Sequence, residues 1–186
     1  MKTLPILAIL AACAAKTTVE TADTDAPILE AETRYYLGTT EATDPTFGSL
    51  GTTTIVLLRQ LDPEAGEIHE VTTQRDLYSG DLREVDVVYS VTDDELTGSY
   101  DDAYGTVEIS GELDGEAWDW TIWNWAATYA DGPFVGSTLF AEVELEGEVL
   151  TVDQEARSPS DHLELTLNDR YEEVDEPTYA EALDGL

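Results

Sequence analysis

Positive charge, cysteine and histidine are all scarce in this chain, and each shortage narrows what the protein does. Of 186 residues, 8 are Lys or Arg against 41 Asp or Glu, a formal charge of −33, and no lysine follows Lys16. Such a surface repels phosphate backbones and anionic headgroups, which argues against nucleic acid and against electrostatic docking to membranes. Cys13 is the only cysteine, so the body after it has no disulfide and no thiol chemistry. The two histidines, His69 and His162, lie far apart and without the closely spaced partner of a catalytic zinc site. Both read as surface or partly buried side chains. There is no G-x-S-x-G elbow, no phosphate loop and no dinucleotide fingerprint, and no cofactor is expected.

The amino terminus carries a targeting segment. Lys2 supplies a small positive region, and Leu4 to Leu10 is an apolar run broken by Pro5, far short of the roughly 20 residues of a spanning helix. Leu10-Ala11-Ala12-Cys13 resembles the lipobox of bacterial lipoproteins, in which an aliphatic and two small residues precede a cysteine. The resemblance implies cleavage after Ala12 and acyl chains on Cys13, hence a membrane anchored through lipid. Ala14 is not the aspartate that holds lipoproteins at the inner membrane of Gram-negative bacteria, which implies the outer membrane. Plain secretion is the alternative, because Ala12-Cys13-Ala14 also satisfies an A-x-A cleavage rule. Residues 1–12 thus read as signal peptide, and 13–33 as the lipidated cysteine with a flexible Thr-, Ala- and acid-rich tether. Residues 34–186 read as one domain, and 42% hydrophobic content makes it too apolar for disorder.

Within that domain, short alternating segments are separated by turn residues. Val107, Ile109 and Leu113 oppose Glu108, Ser110 and Glu112; Leu139, Ala141, Val143 and Leu145 oppose Glu142 and Glu144; Leu163, Leu165 and Leu167 oppose His162, Glu164 and Thr166. One face is core and the other is wet. Roughly eight to ten such strands with tight turns predict an all-β antiparallel up-and-down meander, closed into a barrel to remove its edges. A two-sheet β-sandwich is the alternative, and Pro177 to Leu183 predicts a short C-terminal helix. An outer face this acidic does not suit a transmembrane barrel. The layout is similar to the lipocalin-like barrels of bacterial envelopes in strand order and composition. Where lipocalins open with Gly-x-Trp, this chain has Arg34-Tyr35-Tyr36-Leu37-Gly38, so no binding residue is carried over.

The stretch from Glu116 to Tyr129 holds all four tryptophans between Asp114-Gly115 and Asp131-Gly132, both read as hairpin turns. By period two, Trp118, Trp120 and Ile122 share one face while Trp123 and Trp125 share the other. A β-bulge between Thr121 and Trp123 would restore a single inward face. Trp118, Trp120, Trp123, Trp125 and Tyr129 are the candidate pocket wall, since small barrels either fill with side chains or hold one ligand.

Two acidic patterns remain. Asp93-Asp94 and Asp101-Asp102 flank one short strand as weak calcium candidates, without an EF-hand pattern. Asp114 and Asp119 near the indoles are the carboxylates that carbohydrate binding or glycan hydrolysis would use. The leading expectation is a non-catalytic barrel holding a small apolar or amphipathic ligand. The competing one is a ligand-free acidic interaction module.

Overall fold

The structure is a computed structural model that describes residues 30–186 except Tyr78, Ala103 and Ala117, with backbone alone at Glu116 and Asp119. The lipobox, Cys13 and most of the acidic tether lie outside the described residues. Ten strands follow in order: β1 Glu32–Asp44, β2 Gly48–Asp62, β3 Glu67–Arg75, β4 Leu82–Thr92 and β5 Glu95–Asp102. Then come β6 Gly105–Glu116, β7 Asp119–Tyr129, β8 Thr138–Glu146, β9 Val149–Arg157 and β10 Leu163–Val174. Among the described residues one helix, α1 Glu176–Gly185, follows β10. β1 begins at Glu32, inside the last two residues that the sequence assigns to the tether.

Each strand pairs antiparallel with its neighbours in sequence, and β10 returns to β1, from Tyr35 opposite Val174 to Thr43 opposite Thr166. The result is the closed up-and-down barrel, not the sandwich. Closure leaves no edge strand whose unpaired amides would recruit another chain. The alternation found in the sequence sets the faces: Val107, Ile109, Leu113, Ala141 and Val143 are all buried in the interior. Outside, α1 packs on β1 and β2 with Tyr179 tilted against Tyr35 at 5.2 Å. Asp175 caps it by accepting from the Thr178 amide at 2.9 Å, and Pro177 sits in the first turn, where it removes no helical bond.

The tryptophan strand carries the expected bulge. Gly115 faces Trp120 and Asp114 faces Ile122, so Thr121 opposes no residue of β6. The extra residue turns Trp120 and Trp123 to the same side, 6% and 5% exposed, and leaves Ile122 outside at 51%. The turn before it is displaced from its expected place. Asp114-Gly115 lies within the ladder, which runs on to Glu116 opposite Asp119, and Trp118 just before β7 adopts φ 66°. The reason is the bulge itself, beside which Gly115 takes φ 132°, so that the glycine serves the irregularity instead of the turn. Asp131-Gly132 does turn the chain. Its loop runs on to Ser137, however, and holds Phe134 against the rings of Tyr104 and Tyr129 before β8 begins.

Candidate ligand cavity inside the barrel

Three inward glycines shape the middle of the barrel. Gly38 faces Tyr171, Gly98 faces Tyr89, and Gly111 faces Trp125, each directly across a strand pair. The aromatic side chain lies over the bare backbone. A Cβ added at Gly111 would stand 2.8 Å from the Trp125 Cβ, and one at Gly98 would stand 2.9 Å from the Tyr89 ring. Rings thus lie along the wall instead of filling the axis. An interior cavity of about 200 Å³ remains, bordered by Trp123, Trp125, Tyr89, Tyr100 and Tyr171 together with aliphatic side chains.

Polar groups interrupt this apolar lining, among them Glu70, Arg83, Gln154 and Asp169, and Glu70 is paired with a buried arginine behind the lining. Arg59, 5% exposed, places its guanidinium 4.3 Å over the Trp123 ring and its Nε 3.0 Å from Glu70 Oε1. Pairing and stacking together offset the desolvation of a buried cation, and removing one partner alone would cost about 3–5 kcal/mol. Arg83 at the cavity margin lies 3.6 Å from Asp102. Asp169, 6% exposed, also lines the cavity, and no cation pairs with it among the described residues. Its Oδ2 accepts from Gln154 Nε2 at 2.7 Å and from the Tyr171 hydroxyl at 3.4 Å, while its Oδ1 has no partner among those residues.

Burial dominates the titration of that carboxyl. It pushes Asp169 up to about 6, although the polar neighbours Thr40, Tyr171 and Gln154 pull the other way; the charge of Asp153 adds to the rise. Tyr89 is raised well above the usual tyrosine value, first by burial and then by the charge of Glu70. Tyr171 is raised likewise, by burial and then by Asp169.

The five aromatic candidates divide along β7. Trp123 and Trp125 border the cavity. Trp118 and Trp120 lie tilted against each other, centroids 5.0 Å apart, toward the end of the barrel where β7 begins. Tyr129 sits toward the opposite end and donates to Asp102 Oδ2 at 2.6 Å, its hydroxyl raised by burial and by that bond. Residues missed in the sequence are Arg59, Glu70 and Asp169. Each occupies an inward position of the period-two pattern: Asp169 continues Leu163, Leu165 and Leu167, and Arg59 falls between Leu57 and Leu61. A charge at an apolar parity position was the available signal.

The calcium candidates do not converge. Asp94 and Asp101 stand at opposite ends of β5, roughly 23 Å apart at 3.3 Å per residue, because a strand separates its ends instead of bringing them together. Asp102 is taken up by Tyr129 and by the amides of Tyr104 and Gly105, and Asp101 by the Thr106 hydroxyl. No cluster of three metal-ligating side chains occurs among the described residues. Asp114 is exposed opposite Ile122, and the side chain of Asp119 lies outside the described residues. His69 lies on the outer face between Gln60 at 3.0 Å and Asp86 at 2.7 Å, and His162 is exposed in the β9–β10 turn.

A second concavity, about 880 Å³, lies on the outside of the wall from β5 to β10. Glu95, Glu112, Glu142, Asp153 and Glu155 border it, with Phe140 45% exposed among them and no basic residue. Among the described residues no helix is long and apolar enough to cross a membrane. No family model matches the sequence, and no curated protein is significantly similar to it.

Proposed function

We propose that this is a lipid-anchored envelope protein whose barrel holds one small amphipathic molecule and does no chemistry on it. The observation that carries the reading is the interior cavity of about 200 Å³, with indole on one side and polar atoms on another. An apolar cavity of about 150 Å³ is enough to admit benzene, so this one accepts a ring or a short chain with a polar end. The lipobox supports attachment through Cys13, and Ala14 supports outer-membrane residence.

Fluorobenzene titrated into the full chain and followed by ¹⁹F NMR tests the cavity. Saturable binding at one site is expected, and Ala127→Met, which fills the cavity from its buried lining position, abolishes it. Binding that survives the filled variant, or no saturable binding to the unaltered chain, contradicts the reading. For the anchor, labelled palmitate fed to a bacterial host is expected in the chain and absent from Cys13→Ser. Equal labelling or none in both sinks the lipobox assignment.

The outer concavity favours a second reading, a cationic partner docked on an acidic surface around Phe140. That reading requires binding lost on Phe140→Asp and retained by Ala127→Met, the reverse of what an interior ligand gives.

A further inference from the structure

Building on the cavity reading above, we propose that the occupant is a small amphipathic amine, its protonated nitrogen set against Asp169 and its apolar part against Trp123 and Trp125. The charges inside the barrel decide the class. Arg59 has Glu70 and Arg83 has Asp102, whereas Asp169 has no cation among the described residues. When ionised it is, among the described residues, the one uncompensated charge bordering the cavity. A protonated amine supplies both the missing charge and a donor for the unpartnered Oδ1.

Other classes fit less well. A purely apolar ligand leaves Oδ1 unpaired in a dry space, which is costly for a polar atom and more so for a charged one. An anion would place a second negative charge beside a buried carboxylate, while Arg59 lies behind the lining in an ion pair with Glu70 and Arg83, at the margin, faces Asp102. Size limits the rest: about 200 Å³ holds roughly nine heavy atoms, one ring with a short arm. The indoles then give the cation a favourable second neighbour, as Trp123 already gives Arg59.

Calorimetric titration of the full chain with phenethylamine, 2-phenylethanol and phenylacetate separates the possibilities. The three share a ring and differ at the polar end. The amine is expected to bind about tenfold tighter than the alcohol or better, and the anion not measurably. In Asp169→Asn, which still offers Gln154 an acceptor, the amine preference disappears while the alcohol stays within about threefold. Attraction of the amine to the acidic exterior is controlled by Ala127→Met, in which both amine and alcohol must be lost. Equal binding of amine and alcohol to the unaltered chain overturns the amine class and leaves the cavity reading standing, a comparison that needs no variant to fold. A preference that survives Asp169→Asn overturns the role of Asp169, and silence from all three overturns amine and cavity together.

Discussion

A carboxyl whose pKa burial raises to about 6 keeps its proton in a pH range where the unfolded chain has lost it. Between roughly pH 4 and pH 6 the folded state therefore binds more protons at Asp169, and stability falls as pH rises through that window. The sign is opposite to the usual salt-bridged aspartate, whose contribution is lost toward acid. Asp169→Asn removes the cost of burying an unpaired charge. We expect it to stabilise the empty protein at pH 7 by about 1–3 kcal/mol and to flatten the slope of stability between pH 4 and pH 6. Urea denaturation at a series of pH values checks this; an unchanged slope contradicts it. Arg59 and Glu70 behave differently, because each is the other's compensation. None of these three stands out in the sequence, where the alternation is carried by apolar residues. Their parity is present in the chain, but the partner of each is not: Glu70 meets Arg59 only once β2 and β3 are in register.

At the scale of the element, β7 shows both what composition predicts and where it stops. The apolar face of E-A-W-D-W-T-I-W-N-W changes side, and only an inserted residue reconciles Trp120 with Trp123, so the bulge was legible in the sequence. Its effect on the turn was not, because Asp-Gly marks both a hairpin and a glycine-assisted irregularity, and only pairing distinguishes them. The glycine–aromatic pairs were hidden for the same reason: Gly111 and Trp125 are 14 positions apart and meet only in register. Inserting one alanine in β6 between Asp114 and Gly115 gives Thr121 a partner, removes the bulge and restores plain alternation through β7, sending Trp120 outward. The expected result is a red-shifted tryptophan emission and a loss of several kcal/mol in stability, comparable to emptying a large core site. An unshifted spectrum with unchanged stability would mean that the bulge is incidental.

For the whole molecule, the closed barrel was legible because some eight to ten alternating segments joined by short turns have few other ways to cover their edges. The interior volume was not, since whether a small barrel is filled or hollow depends on where its rings lie. Here they lie across Gly38, Gly98 and Gly111. The acidic exterior was legible as charge, while the outer concavity around Phe140 needed the curvature of six paired strands to be seen.

The central claim is that the hollow is occupied in the cell. A native mass spectrum of the full chain, extracted from a bacterial envelope in mild detergent, tests it beside the denatured sample and beside Ala127→Met. One noncovalent adduct of roughly 100–200 Da is expected in the native protein, lost on denaturation and absent from the filled variant. The same polypeptide mass in all three samples would contradict it.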